Sequence, residues 1–162
     1  MKSLLLIRHA KSSWDIDADD FDRSLNHRGH KDAPEMANRL IHKKITIDRF
    51  ISSPAKRAIT TAGYFANAYN VEENQIVQVP TLYEPTIEAF VKTITNLEDA
   101  IHTAAIFSHN PTITAFANSL THAKIDDMPT CAIFAIKADI EHWKDFAEGK
   151  KEFWFFDYPK AG

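Results

Sequence analysis

Hydrophobic residues along this chain occur in short runs that alternate with longer segments of helical spacing. Each short run has the length of a buried strand. These runs predict strands at Leu4–Ile7, Arg49–Ser52, Gln75–Val79, Thr103–Phe107, Cys131–Ile136 and Phe153–Phe156.

Between the runs, hydrophobic residues recur at the spacing of a helix. In the first such segment the apolar positions are Ala33, Met36, Ala37, Leu40 and Ile41. Further helices are predicted over residues 55–69, 86–101 and 112–120. Pro34 lacks a backbone donor and is expected to kink the first helix or mark its start. Alternating strands and helices predict an α/β fold with a mostly parallel sheet covered by helices.

Composition limits the classes of function. The 162 residues suit one domain, predicted to span 1–162. The net charge of -3 argues against nucleic acid as the main partner, because DNA-binding domains usually carry a basic excess. The chain has one cysteine, Cys131, which suits a reducing compartment. No apolar stretch approaches a membrane span. We therefore expect a cytoplasmic protein without a membrane partner.

Cationic side chains follow three of the predicted strands. The segments concerned are Arg8-His9-Ala10-Lys11, Ser52-Ser53-Pro54 with the nearby Arg57, and Ser108-His109-Asn110-Pro111. Ligands of open α/β sheets bind beyond the carboxyl ends of the strands. A cationic cluster there, in a chain of negative net charge, indicates an anionic substrate.

Two of these segments also resemble helix starts. A polar residue, Ser53 or Asn110, precedes a proline and a helical pattern, as an N-cap precedes the first helical residue. Helix N-termini attract phosphate through their free N–H groups. Arg57 lies one turn into its predicted helix, and its side chain is expected to reach a phosphate held at that end.

These residue types suit phosphoryl transfer. A neutral His9 can attack phosphorus through one ring nitrogen while the other donates to a backbone carbonyl. Arg8 and Arg57 offer planar donors that match phosphoryl oxygens, and His109 adds a further donor for developing charge. No metal-ligand pattern of His and Cys is present, so we expect neither metal nor other cofactor.

The three segments together resemble the motifs of the histidine phosphatase superfamily, in order and spacing. Further features resemble its short SixA-type phosphohistidine phosphatases, namely Arg8-His9-Ala10-Lys11-Ser12, Asp22-Arg23-Ser24-Leu25 leading to Gly29, and Leu82-Tyr83-Glu84. The resemblance covers nearly the whole chain. It implies a three-layer α/β/α fold like that of phosphoglycerate mutase.

The resemblance also implies roles for individual residues. His9 would be the phosphorylated nucleophile, with Arg8, Arg57 and His109 around the phosphate and Arg23 near the rim of the pocket. Glu84 stands where a general acid is found in the superfamily, although the SixA-type branch often lacks that acid. Ala10 replaces the glycine of the motif, so we expect an ordinary backbone angle there.

Other features have simpler interpretations. The acidic stretch Asp15–Asp22 is expected to be a solvated loop, or to lie beside the pocket and favour a basic partner. Trp14 would contact the rim or anchor that loop. Cys131 is expected to be a core thiol.

The sequence therefore predicts a monomeric, metal-independent phosphatase that acts through phospho-His9. Its substrate would be a phosphorylated protein, such as a phosphohistidine signalling domain, or a small phosphorylated molecule. A phosphotransferase resembling phosphoglycerate mutase and a non-catalytic phosphate-binding module are the alternatives.

Overall fold

A computed structural model describes residues 1–14 and 17–161 of the chain. Its strands are β1 Lys2–Arg8, β2 Arg49–Ser52, β3 Val77–Gln78, β4 Thr103–Ser108, β5 Ile133–Asp139 and β6 Lys150–Asp157. They form one sheet in the order β3-β2-β4-β1-β5-β6. The strands from β3 to β1 run parallel, whereas β5 is antiparallel to both β1 and β6. The predicted mostly parallel sheet is confirmed.

The helices are α1 His27–His42, α2 Lys56–Ala68, α3 Ile87–Thr95 and α4 Thr112–Leu120. The helix α3 is shorter than the predicted 86–101, since it ends before Asn96 and Asp99, which are weak helix formers. The third strand is also shorter than expected, because the flanking segments Glu73–Gln75 and Pro80–Leu82 form 3₁₀ turns.

Three helices begin at residues other than those that the proline and N-cap patterns of the sequence predicted. The helix α1 runs through Pro34 and begins earlier, where the Asn26 side chain accepts from the Gly29 N–H at 2.9 Å. The helix α2 begins at Lys56, two residues after Pro54. The helix α4 begins at Thr112, so neither predicted N-cap, Ser53 or Asn110, is the capping residue.

The sheet separates two hydrophobic cores. Along β1, Leu4 and Leu6 point into the core that contains the residues of α3 and α4, and Leu5 and Ile7 point into the core beneath α1 and α2. This alternation is the two-residue period of a strand that is buried on both faces. Helices therefore cover both faces of the sheet, and the predicted three-layer α/β/α architecture is confirmed.

The topology determines where the loops after β1, β2 and β4 meet. These strands are neighbours in the sheet and run parallel, with Arg8 paired to Ser108 and Ser52 to Phe107 at their carboxyl ends. The segments that follow them therefore emerge side by side at one edge. In the described part of the chain, no helix is long and apolar enough to cross a membrane.

The start of α1 is packed directly on the backbone that follows β1. Gly29 lies so close to this segment that a β-carbon would sit 2.2 Å from the Lys11 carbonyl oxygen. The same carbonyl accepts from the Asn26 N–H at 3.0 Å. A backbone atom cannot move aside as a flexible side chain can, so the site has room only for glycine.

We predict that Gly29→Ala lowers the free energy of unfolding by about 1–3 kcal/mol, the usual cost of overpacking. Gly63→Ala, within α2, is the matched control. Its new β-carbon would lie 3.3 Å from the end of the flexible Glu73 side chain, and alanine favours a helix over glycine by about 0.5–1 kcal/mol. Urea denaturation measures both. Equal stability of the two variants would contradict the close packing of α1 on Lys11.

Candidate active site

The segments that follow β1, β2 and β4 line a pocket of about 620 Å³. Arg8, His9, Arg57 and His109 all contribute to its walls. His9, Arg57 and His109 are at most 7% exposed, and the rings of the two histidines lie 5.2 Å apart. The structure thus brings together the four residues that the three sequence motifs supply.

The ring of His9 is held in one orientation. Its Nδ1 lies 2.7 Å from the Ala10 carbonyl oxygen, which can only accept, so Nδ1 carries the proton. The other nitrogen, Nε2, then has a free lone pair. Burial, together with the nearby positive groups, lowers the pKa of His9 to about 3. The ring is therefore neutral at neutral pH, as a nitrogen nucleophile must be.

Thr61 of α2 holds the backbone of Ala10, the residue whose carbonyl orients His9. Its hydroxyl accepts from the Ala10 N–H at 2.9 Å and donates to the Arg57 carbonyl oxygen at 2.8 Å. Ala10 is fully buried. The non-glycine residues with positive φ in the described chain are Lys44, Asn70, Glu84 and Cys131. The ordinary backbone angle expected at Ala10 is confirmed.

His109 is oriented by the second motif. Its Nε2 lies 2.8 Å from the Ser53 hydroxyl, which accepts from the Ala55 N–H. Ser53 is fully buried. If its oxygen only accepted, its own proton would be left unpaired, so we infer that it donates to Nε2 and that Nδ1 carries the His109 proton. Burial, then Arg57, lowers the pKa of His109 to about 4, so the ring acts as a neutral donor.

Several buried nitrogen atoms around the pocket have no partner. In the described residues four buried side-chain N or O atoms are unpaired, and three of them are Arg8 Nε, Arg57 Nε and His109 Nδ1. Buried polar atoms are almost always hydrogen-bonded. Three unpaired donors on residues that line one cationic pocket fit an anion that binds there.

Asp20 is a site residue that the sequence analysis missed. Its carboxylate accepts from Arg57 Nη2 at 3.0 Å, from Arg23 Nη2 at 3.1 Å and from the Tyr83 hydroxyl at 2.7 Å. The Tyr83 hydroxyl, followed by the two arginines, lowers the pKa of Asp20 to about 2. Of the two positions expected for this stretch, Asp20 has the one beside the pocket, where its side chain is 54% exposed. Asp15 and Ile16 lie outside the described residues.

Arg23 lines the pocket, in agreement with the position near the rim that the family resemblance implied. It is 9% exposed and donates to the Ser12 hydroxyl at 2.7 Å. Its guanidinium also lies 4.1 Å from the centre of the Trp14 ring, which is 83% exposed. Trp14 therefore contributes to the rim of the pocket.

The remaining candidates have less specific positions. Glu84 lies at the pocket wall as an exposed residue with φ of 51°. Cys131 is fully buried, and burial raises the pKa of its thiol, in agreement with a core position. Across residues 1–14 and 17–161, no three His, Cys, Asp or Glu side chains group together in a way that could hold a metal ion.

Comparison with protein families gives a match that agrees with this geometry. The family model of the histidine phosphatase superfamily (branch 1) matches residues 4–90, more than half of the chain. The chain belongs to the histidine phosphatase superfamily. It is thereby a member of a superfamily of phosphatases that act through a phosphohistidine intermediate. No curated protein matches the sequence.

Several solved structures have a fold similar to that of this chain. One, described as phosphohistidine phosphatase SixA from Agrobacterium tumefaciens, has 23% identity, a TM-score of 0.82 and 98% coverage of both chains. The protein histidine phosphatase SixA complexed with tungstate has 22% identity, a TM-score of 0.81 and the same coverage. A mycobacterial glucosyl-3-phosphoglycerate phosphatase has 13% identity and a TM-score of 0.74, over 98% of this chain and 100% of that one. At these identities the likeness establishes the fold.

The two site histidines make the stability of this histidine phosphatase dependent on pH. Their pKa values in the folded chain, about 3 and about 4, lie below the ordinary 6.5. Between pH 6.5 and 4 the unfolded chain binds protons that the folded chain does not, so the free energy of unfolding falls as the pH falls. We predict a loss of up to about 1.4 kcal/mol per pH unit for each histidine.

Urea denaturation at pH 6.5 and pH 5 measures this loss in wild type, His9→Asn and His109→Asn. Each variant removes one of the two groups and is expected to show a shallower dependence on pH. A dependence as steep as that of wild type in both variants would contradict the burial of neutral histidines.

Proposed function

We propose that this chain is a metal-independent protein phosphohistidine phosphatase that carries the phosphoryl group on His9 during turnover. The observation that carries the proposal is the orientation of the His9 ring. Its Nδ1–H is bonded to the Ala10 carbonyl oxygen at 2.7 Å. Its Nε2 is left free in a pocket whose other walls offer three unpaired buried donors.

The first step of the proposed reaction is attack by His9 Nε2 on phosphorus. The bond from phosphorus to the leaving group breaks, and its electron pair goes to the leaving group. Because Nδ1 keeps its proton, the phosphorylated ring is cationic, and the Ala10 carbonyl stabilises that charge. In the second step, water attacks phosphorus and the electron pair of the P–N bond returns to Nε2. Phosphate is released and the neutral ring is restored.

Arg8, Arg57 and His109 supply the electrostatic part of this mechanism. Phosphoryl transfer depends mainly on positioning and on stabilising the charge of the equatorial oxygens. The unpaired Nε atoms of the two arginines and Nδ1 of His109 belong to residues that line the pocket and are the donors we assign to those oxygens. Donors held in place before the substrate arrives need no reorganisation during the reaction.

The different needs of leaving groups for a proton favour phosphohistidine as the substrate. An alkoxide is a poor leaving group and needs a general acid, whereas an imidazole ring departs readily when its other nitrogen is protonated. Asp20 has a pKa of about 2 and is ionised, so it is no acid at neutral pH. The similar folds named for phosphohistidine and protein histidine phosphatases also support this substrate.

A small-molecule phosphomonoesterase is the second candidate, favoured by the similarity to the mycobacterial glucosyl-3-phosphoglycerate phosphatase. One preparation tested on a phosphohistidine protein, a phosphotyrosine peptide and small phosphates distinguishes the two. Transfer of phosphate between two small acceptors would instead indicate a mutase-like phosphotransferase. Activity that is lost in EDTA and restored by a divalent ion would contradict the metal-independent mechanism.

We further propose that residues 1–162 form one domain that acts as a monomer in the cytoplasm, without nucleic acid or a membrane as partner. The joining of six strands in one sheet supports a single domain. The free, buried thiol of Cys131 suits a reducing compartment.

We predict that His9→Ala abolishes hydrolysis while the protein stays folded, because the ring supplies the nucleophile and its loss leaves the two cores intact. The measurement is kcat on a phosphohistidine protein, with circular dichroism to verify folding. His102→Ala, which replaces an exposed histidine beside the opposite end of β4, is the control and is expected to retain activity. Substantial hydrolysis by folded His9→Ala would exclude His9 as the nucleophile.

We predict that Glu84→Gln changes kcat/KM on a phosphohistidine protein by less than about twofold, because the departing ring needs no carboxylic acid. An alkyl phosphate measured in parallel is expected to be a poor substrate of both proteins. If the alkyl phosphate is preferred, and the variant loses the ~10²–10⁴-fold typical of a general acid, Glu84 is that acid. The substrate would then be a small phosphomonoester.

A further inference from the structure

The carboxylate of Asp20 lies on the solvent side of the cationic pocket. Its side chain is 54% exposed, whereas that of Arg57, to which it is bonded, is 7% exposed. The Asp20 backbone carbonyl also accepts from Arg57 Nη1 at 2.6 Å. Asp20 therefore covers the outer edge of the Arg57 guanidinium, while the Nε of the same guanidinium remains buried and unpaired.

This position borders the route by which a leaving group departs. In an in-line displacement the leaving group lies on the far side of phosphorus from the attacking atom. His9 is buried in the pocket, so the leaving group faces the mouth. Tyr83 connects the two regions, since its ring packs edge-on against His109 at 5.7 Å and its hydroxyl donates to Asp20 at 2.7 Å.

We propose that Asp20 determines substrate specificity. It favours a substrate whose leaving group is positively charged and disfavours a substrate that carries a second negative group beside the phosphate. This inference rests on the proposed phosphatase activity and deepens it. It assigns the substrate class as phosphate on a protonated nitrogen ring, of which phosphohistidine is the protein example.

The hydrogen bonds of Asp20 show how a substrate would engage it. Oδ1 accepts from Arg23 Nε and Nη2, and Oδ2 accepts from Arg57 Nη2 and the Tyr83 hydroxyl. These four bonds fill the capacity of a carboxylate. A phosphoryl group that binds Arg57 Nη2 takes the place of one of them. The acceptor position thus freed on Oδ2 is available to an N–H of the leaving ring.

The step is balanced without an external acid. The phosphohistidine ring enters with a proton on the nitrogen that is not phosphorylated. As His9 Nε2 bonds to phosphorus, the old P–N bond breaks and its electron pair returns to the ring, which leaves as neutral imidazole. The Asp20 carboxylate accepts the N–H of that ring and stabilises its positive charge before departure.

A series of aryl phosphates whose ring substituents differ in charge tests this role, and the other differences between the compounds cancel when their ratio is compared between variants. Phenyl phosphate is neutral at the substituent, 4-(aminomethyl)phenyl phosphate is cationic and 4-carboxyphenyl phosphate is anionic. We expect wild type to prefer the cationic over the anionic compound by about tenfold in kcat/KM at low ionic strength. Asp20→Asn is expected to reduce this preference at least threefold, as the charge of the carboxylate is lost while its shape is kept.

Asp22→Asn is the matched control, because Asp22 is an exposed residue of the same 3₁₀ turn, Asp20–Asp22, and the substitution removes the same charge. It is expected to keep the wild-type preference. An unchanged preference in Asp20→Asn, or an equal reduction in Asp22→Asn, would overturn the inference. If Asp20→Asn bound all three compounds more tightly by the same factor, the ratio between the cationic and the anionic compound would not change. That result would also overturn the inference.

The test separates this inference from the proposed function. Turnover of any compound by wild type measures phosphatase activity, whereas the ratio between compounds measures the effect of Asp20. If neither a phosphohistidine protein nor any of the three compounds is turned over, the proposed function fails. Calorimetric dissociation constants of the three compounds still give the ratio in wild type and both variants. A reduced preference for the cationic compound in Asp20→Asn alone then supports the role of Asp20, and an unchanged preference overturns it.

Discussion

The parallel pairing of β4 with both β1 and β2 is the constraint on which the rest of the site depends. It places the carboxyl ends of three strands at one edge, with Ser108 beside Arg8 and Phe107 beside Ser52. Each strand is buried on both faces, so a shift of register by one residue would reverse the faces of all its side chains. The hydrophobic packing of the sheet thereby fixes the positions of the loops that line the pocket.

The loops are then joined to one another by hydrogen bonds that cross between motifs. Thr61 of α2 accepts from the N–H of Ala10 in the first motif, and the Ala10 carbonyl accepts from the ring of His9. Ser53 of the second motif holds His109 of the third. His109 is therefore oriented by a residue of another motif, and the Ala10 backbone that orients His9 is itself held by a residue of α2. Burial keeps both rings neutral, with pKa values of about 3 and about 4, and suits one as nucleophile and the other as donor.

The strands and four residues of the pocket could be predicted from the sequence because each depends on a local pattern. The four residues are Arg8, His9, Arg57 and His109. A buried strand appears as an apolar run, and a residue at its carboxyl end has a known place in an α/β sheet. The predicted N-caps at Ser53 and Asn110 were wrong, since the chain makes a further turn before each helix. The proposed role of Asp20 depends on its contacts with Arg57 and Tyr83, which lie far along the chain. In sequence it is one aspartate of an acidic stretch, and nothing in that stretch distinguishes it from its neighbours.

The central claim is that His9 carries the phosphoryl group, and trapping the intermediate tests it most directly. Wild-type protein is mixed with a substrate labelled in its phosphoryl group, quenched in alkali within the first turnover and mapped by peptide mass spectrometry. The account predicts an alkali-stable, acid-labile phosphoryl group on the peptide that contains His9. Label on a different residue, or first-turnover hydrolysis without any labelled protein, would contradict it.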